Sequence, residues 1–262
     1  MAEVLEEGVN SEASPLSWLR GQIWEEVVQD QDQWKIPSLR LSKFNSGHYQ
    51  GRLGEKIRSI SGSDKVLSQK ELINERRKII PDDGIGEDIY IFAYGSLLWN
   101  PTVDYEEQFL AKVYGFHRSF CMKTNLGRGS FENPGLMLAL NNGGSCRGSA
   151  FRLNNNDSIK NIDILFKREM VTGAYKPKLL KTKLENNKNV LSLAFTVDKK
   201  HKNYFAQRSI SKKAKMIFKA HGFLGTCQEY FDNTLESLEE LEIKDLEMRS
   251  ISNYLKKFNK NS

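Results

Sequence analysis

The run Ile89 to Tyr94 (IYIFAY), followed at once by Gly95 and Ser96, constrains this chain more than any other stretch. Six consecutive apolar or aromatic residues, with β-branched members, have the length and composition of a strand buried on both faces. Such a strand lies inside a sheet, so the rest of the chain must supply packing layers on either side. The stop is equally informative. A glycine just past a buried strand permits a turn through positive φ, which brings successive backbone N–H groups toward one point where an anionic or polarised oxygen can sit. Taken alone, Tyr94 to Leu97 is also compatible with an ordinary tight turn.

The 262 residues suffice for one large domain, or for one domain with an extension. No apolar run approaches the roughly 20 residues that span a bilayer. The opening MAEVLEEGVN is acidic where a secretory signal is basic and then apolar, so the expectation is a cytoplasmic protein with no membrane partner. Cys121, Cys146 and Cys227 are odd in number and widely spaced, which supports neither a disulfide framework nor a zinc site. The net charge of +6 raises the question of nucleic acid, but the lysines are dispersed or gather late, from Lys199 to Lys215, without aromatic interleaving or a binding motif. A solvated basic surface and no nucleic-acid partner is the reading.

Residues 1–87 read as a mostly helical extension and linker. Leu16, Leu19, Ile23, Trp24, Val27 and Val28 recur at helical spacing, and the stretch from Lys43 to Lys65, rich in Gly, Ser and charge, reads as a loop. Ser68 and Glu71 form an S-x-x-E capping box ahead of Leu72 and Ile73, with Pro81 as the stop, which predicts a second helix. No reactive constellation falls in this region. Residues 88–262 form the second unit and are strand-rich at first. Strands are predicted over Phe109–Met122, Gly135–Leu140, Cys146–Leu153, Leu179–Leu184 and Val190–Val197, with a helix over Asp157–Met170 and two or three more between Ile210 and Lys256. Strands early and helices mostly late argue for α+β with a curved sheet. The fragment GRGS at Gly127–Ser130 lacks the lysine of a phosphate loop and the third glycine of a dinucleotide turn, so it reads as a surface loop.

The helix ending near Met170 carries the second informative feature. At 100° per residue, Ile159, Ile162, Leu165, Phe166 and Met170 gather on one side, while Lys160, Asn161, Asp163, Lys167 and Arg168 take the other. Glu169 falls inside the apolar arc. A buried carboxylate is costly unless it is paired or used. Two readings stand: an ion pair with an arginine such as Arg118 or Arg152, or a catalytic group. Burial and the negative end of the helix dipole both raise its pKa, toward the range where a carboxyl exchanges protons near neutral pH.

Six collinear blocks resemble the ChaC family of glutathione-specific γ-glutamylcyclotransferases, in its bacterial form. They are YGSLLWNP (Tyr94–Pro101), GFHRSFCMKTNLGRGSFENPGLMLAL (Gly115–Leu140), GSCRGSAFRL (Gly144–Leu153), FKREMVTGAYKP (Phe166–Pro177), AFTVDKKHKNY (Ala194–Tyr204) and GFLGTCQEYF (Gly222–Phe231). The resemblance covers about residues 88 to 250. Departures are Ala93 where the family usually has Gly, Phe151 where an aromatic hydroxyl is usual, and Leu179 where Trp is common.

The resemblance implies a small mixed β-barrel surrounded by helices, and cleavage of glutathione to 5-oxoproline and Cys-Gly. It further implies Glu169 as the catalytic acid–base and the Tyr94, Gly95, Ser96, Leu97 turn as the substrate cradle. Tyr230 matches a recurring tyrosine, although a lone aromatic there also fits packing. The implied chemistry uses no metal or organic cofactor, and His48, His117, His201 and His221 lie too far apart for an HExxH site. The oligomeric state is left open. Two alternatives stand beside this reading: a cyclotransferase acting on other γ-glutamyl amino acids or amines, and a non-catalytic regulator of cation transport.

Overall fold

The structure is a computed structural model that describes residues 66–260, apart from 126 and 223. The predicted helix between Leu16 and Gln29 and the loop from Lys43 to Lys65 lie outside the described residues.

The first element, α1 (Gln69–Arg77), opens as its sequence requires. Ser68 Oγ accepts from the Glu71 N–H and the Glu71 carboxylate accepts from the Ser68 N–H at 2.8 Å, so two otherwise orphaned donors are satisfied. Leu72 and, after the helix, Ile80 pack into a core cluster with Ile91, Phe166 and Phe195. Arg76 fastens the same contact, donating to Asp163 at 3.0 Å.

Five strands close a mixed barrel: β1 (Tyr90–Ala93), β2 (Tyr105–Thr124), β3 (Gly135–Leu153), β4 (Tyr175–Leu184) and β5 (Asn189–Val197), in the order β1-β3-β2-β4-β5. β1 lies between β3, antiparallel, and β5, parallel. All four of its residues are buried, as the continuous apolar run requires. Tyr90, Phe92 and Tyr94 enter the core beneath α3 (Ile210–Lys219), α4 (Cys227–Glu240) and α5 (Leu246–Lys260). Ile89, Ile91 and Ala93 enter the opposite core beneath α1 and α2 (Ser158–Glu169). The period of two thus divides one apolar run between two cores.

Two expectations are corrected. Gly135–Leu140 and Cys146–Leu153 are one strand, because the intervening Asn-Asn-Gly-Gly-Ser segment is a bulge and not a turn: Asn141 and Asn142 stay paired with His117 and Phe116. Gly143 and Gly144, at φ 97° and 72°, take up the irregularity opposite Gly115 at φ 81°, so the β2–β3 ribbon bends without breaking. Asn161, assigned to the polar face of α2, is fully buried; its side-chain carbonyl accepts from the Asp104 N–H and its amide donates to the Asp157 carbonyl.

The three cysteines are free and buried. Among the described residues, no helix is long and apolar enough to cross a membrane, and no three His, Cys, Asp or Glu side chains converge as metal ligands.

Candidate active site

Glu169 is the last residue of α2, placed there by an apolar stripe (Ile162, Leu165, Phe166) that seats the helix on the barrel, with Phe166 edge-on to Phe195. Its side chain is 15 % exposed. Oε1 is 3.0 Å from Nε of Arg168 without the alignment of a hydrogen bond. Among the described residues it is the one buried side-chain nitrogen or oxygen that lacks a hydrogen-bond partner. Burial pushes the Glu169 carboxyl above the usual carboxylate range, and the Arg168 guanidinium opposes that shift only in part. The ion-pair reading had named the wrong cations. Arg118 pairs with Asp245 and Arg152 with Glu106 and Glu107.

Three phenols surround the carboxyl. Burial raises the pKa of Tyr94, Tyr175 and Tyr230, and the negative charge of Glu169 adds to each shift. Tyr94 donates its hydroxyl to the Phe195 carbonyl at 2.6 Å and Tyr175 to the Leu138 carbonyl at 2.8 Å. At Tyr230 a backbone hydrogen bond from Leu138 opposes part of that rise. Trp99 and Phe120 hold the Tyr230 ring by edge-on contacts at 6.1 and 6.2 Å. A cavity of 760 Å³ between α1 and the start of β4 adjoins this group through Met170 and Tyr175, but Glu169 does not line it.

The turn after β1 is also in place, for a different reason from the one the sequence implied. Gly95 has φ −141°, so no positive φ is needed. The constraint on a side chain is proximity: a Cβ there would lie 3.2 Å from Tyr230 Oη, which would have to give way slightly, and 3.6 Å from Leu138, an ordinary contact. Ser96–Leu98 form a single 3₁₀ turn, closed by Leu98 N–H on the Gly95 carbonyl at 2.9 Å. The Leu97 side chain is anchored in the core, so this residue offers only its backbone to a ligand. Arg168 ties the turn to α2, donating to Ser96 Oγ at 2.9 Å, to the Asn100 carbonyl and to Thr102 Oγ1. Thr102 sits at φ 64°, a costly conformation for a β-branched residue, and the guanidinium helps to hold it there.

The arrangement is therefore a buried carboxyl with a raised pKa, a buried phenol, and a backbone turn fixed beside them. A family model described as ChaC-like protein matches residues 89–258. The chain belongs to the ChaC family. Its ChaC relatives include the glutathione-specific γ-glutamylcyclotransferase of Escherichia coli K12, 36 % identical over 165 residues, covering 63 % of this chain and 70 % of that protein. Glutathione-specific γ-glutamylcyclotransferase 1 of Homo sapiens is 28 % identical over 153 residues, covering 57 % and 69 %. The fold is that of a yeast γ-glutamyl cyclotransferase specific to glutathione, whose crystal structure superposes with a TM-score of 0.58 at 15 % identity, over 66 % of this chain and 99 % of that one.

Of the residues the sequence singled out, the fold brings Glu169, Tyr94, Gly95, Ser96, Leu97 and Tyr230 together in one region of this ChaC-family chain. Arg168 and Tyr175 were missed. Helical periodicity assigns Arg168 to the solvent face because it reports the direction of Cα–Cβ and not where a long guanidinium ends. Tyr175 follows Glu169 by six residues in the block GAYKP, and nothing in a lone tyrosine at a strand start marks it as facing a carboxylate.

Proposed function

We propose that this chain cleaves glutathione to 5-oxoproline and Cys-Gly, with Glu169 as the general acid–base. The observation that carries the reading is the buried Oε1 of Glu169, which faces the Arg168 guanidinium but makes no hydrogen bond. A carboxylate oxygen desolvated at a cost and left without a hydrogen bond has an open lone pair to accept a proton. The names of the relatives supply the substrate.

The reaction needs little from the protein. The substrate's own α-amine attacks its γ-carbonyl, so nucleophile and electrophile share one molecule and the folded rotamer contributes several kcal/mol, roughly, by proximity. A C–N bond forms to close the five-membered ring, and the C–N bond to cysteine breaks. Glu169 takes the proton lost by the amine and returns it to the departing cysteine nitrogen, so acid and base balance without water. A dry site favours this path over hydrolysis. The backbone N–H groups of the Gly95–Leu97 turn face the polarised γ-glutamyl oxygens, and the Tyr230 hydroxyl, beside Gly95, supplements them. No step calls for a metal. Purified chain incubated with millimolar glutathione and EDTA is expected to release 5-oxoproline, detected by mass; none above a heat-killed control overturns the reading.

A cytoplasmic location follows from the same reading, since the substrate is a reduced cytosolic thiol. The division at residue 88 is proposed as one of chemistry rather than packing, because α1 shares a core with α2. A chain truncated to begin at Asp83 loses Leu72, Ile80 and the Arg76–Asp163 pair. It should melt earlier, with a loss of about 2–5 kcal/mol per large apolar side chain removed as an upper guide, yet retain turnover per folded molecule. Loss of turnover in a truncated chain with native circular dichroism places residues before 83 in the chemistry.

A further inference from the structure

Arg118 comes from the middle of β2 and is 4 % exposed, yet all three of its nitrogens are engaged. Nη1 pairs with Asp245 at 2.7 Å, Nη2 donates to the Arg147 carbonyl at 2.6 Å, and Nε donates to the Tyr94 carbonyl at 2.5 Å. The last contact matters most. The Tyr94 C=O and the Gly95 N–H belong to one peptide unit, which is planar and trans, so fixing the carbonyl fixes the N–H in the opposite direction. A cation on the carbonyl also withdraws electrons through the amide and makes that N–H a stronger donor.

We propose that Arg118 is a positioning residue for the reaction: by holding the Tyr94 carbonyl it aims and polarises the Gly95 N–H at the γ-glutamyl oxygen as negative charge develops. The inference rests on the cyclotransferase reading of the turn. It explains why a buried ion pair, which apolar residues of similar volume often replace without loss of stability, is kept at this position. Asp245, 17 % exposed at its side chain, balances the charge and does not touch the turn.

The test separates aim from stability. The double substitution Arg118→Met with Asp245→Leu removes both charges, so no uncompensated ion is left in the core. Its kcat for glutathione, per folded molecule, is expected to fall about 10- to 100-fold, below the 10²–10³ cost of deleting an oxyanion donor outright, with KM within about threefold; the melting temperature should fall as well, because Asp245 also accepts from the Met248 N–H at the start of α5 and the Tyr94 and Arg147 carbonyls lose their donors. In ¹⁵N-labelled protein the Gly95 amide proton should shift upfield relative to wild type. Asp245→Asn, which leaves Arg118 on the carbonyl, should keep kcat within about threefold and leave the Gly95 amide in place. Should the double variant not fold, Arg118→Lys keeps the charge without the three-way fork and is expected to show the same split between kcat and KM. A double or Lys variant with unimpaired kcat, or one in which KM rises while kcat holds, overturns the proposal alone. A wild-type chain that makes no 5-oxoproline overturns the functional reading and this proposal with it.

Discussion

Replacing Glu169 with glutamine is expected to lower glutathione turnover by about 10²- to 10⁴-fold, the span that general acid–base catalysis supplies. The amide keeps size and shape but exchanges no proton. Folding should not suffer, because Arg168 retains Ser96, Asn100 and Thr102 as acceptors and is not stranded. A paired structural carboxylate predicts the reverse: a loss of stability on the order of 3 kcal/mol with near-normal turnover per folded molecule. The pH dependence distinguishes the two further. Burial raises the folded-state pKa of Glu169 above that of an ordinary exposed carboxyl. The wild-type rate should therefore climb with pH through one ionisation above the ordinary carboxylate range, and the glutamine variant should lack that limb. Stability follows the same linkage. The native state binds this proton more tightly than the unfolded chain, so its contribution is complete below the unfolded pKa and is lost as pH rises through the raised folded value. Glu169→Gln should match the wild type in thermal denaturation under acid conditions and exceed it toward neutrality.

Gly95→Val is expected to lower activity at least about 10²-fold, the penalty for displacing reacting groups by an ångström. The effect comes from the bulk its side chain adds beside the turn. Cβ already lies 3.2 Å from Tyr230 Oη, and the two γ-methyls must displace that hydroxyl or Leu138. Overpacking of this kind costs about 1–3 kcal/mol in stability as well. Ser96→Ala keeps the backbone N–H and removes one of the several acceptors of Arg168. Its turnover should stay within about tenfold of wild type, since the lost contact is one charge-assisted hydrogen bond. Steady-state kinetics on both variants checks the assignment; a Ser96→Ala enzyme as inactive as Gly95→Val moves the role from backbone to hydroxyl.

The elements legible in the sequence were those whose signal is local. An apolar run gave β1, a capping box gave α1, and an interrupted stripe singled out Glu169. The misreadings share a physical origin, since each depends on partners distant in sequence. Asn-Gly-Gly looks like a turn unless the opposing strand also carries a glycine that lets both bend together, as Gly115 does. Gly95 looked like a residue chosen for a positive φ, which it does not have, and its side of the turn is crowded by a hydroxyl contributed from α4. The destinations of Arg118 and Arg168 are set by tertiary approach, to which no periodicity is sensitive.

The placement of β1 also bears on the order in which the molecule assembles. β2 with β3, and β4 with β5, are hairpins whose partners are consecutive in the chain, so they close with little loop entropy. β1 has no such neighbour: Tyr90 pairs with Arg152 on one side and Ser192 on the other. The slot between β3 and β5 that it fills is complete only after both hairpins have come together, and non-local pairings of this kind form late. The Tyr94–Leu97 turn hangs from the end of that strand, so the chain becomes compact before it becomes competent, and the last segment to seat is the one on which the chemistry depends.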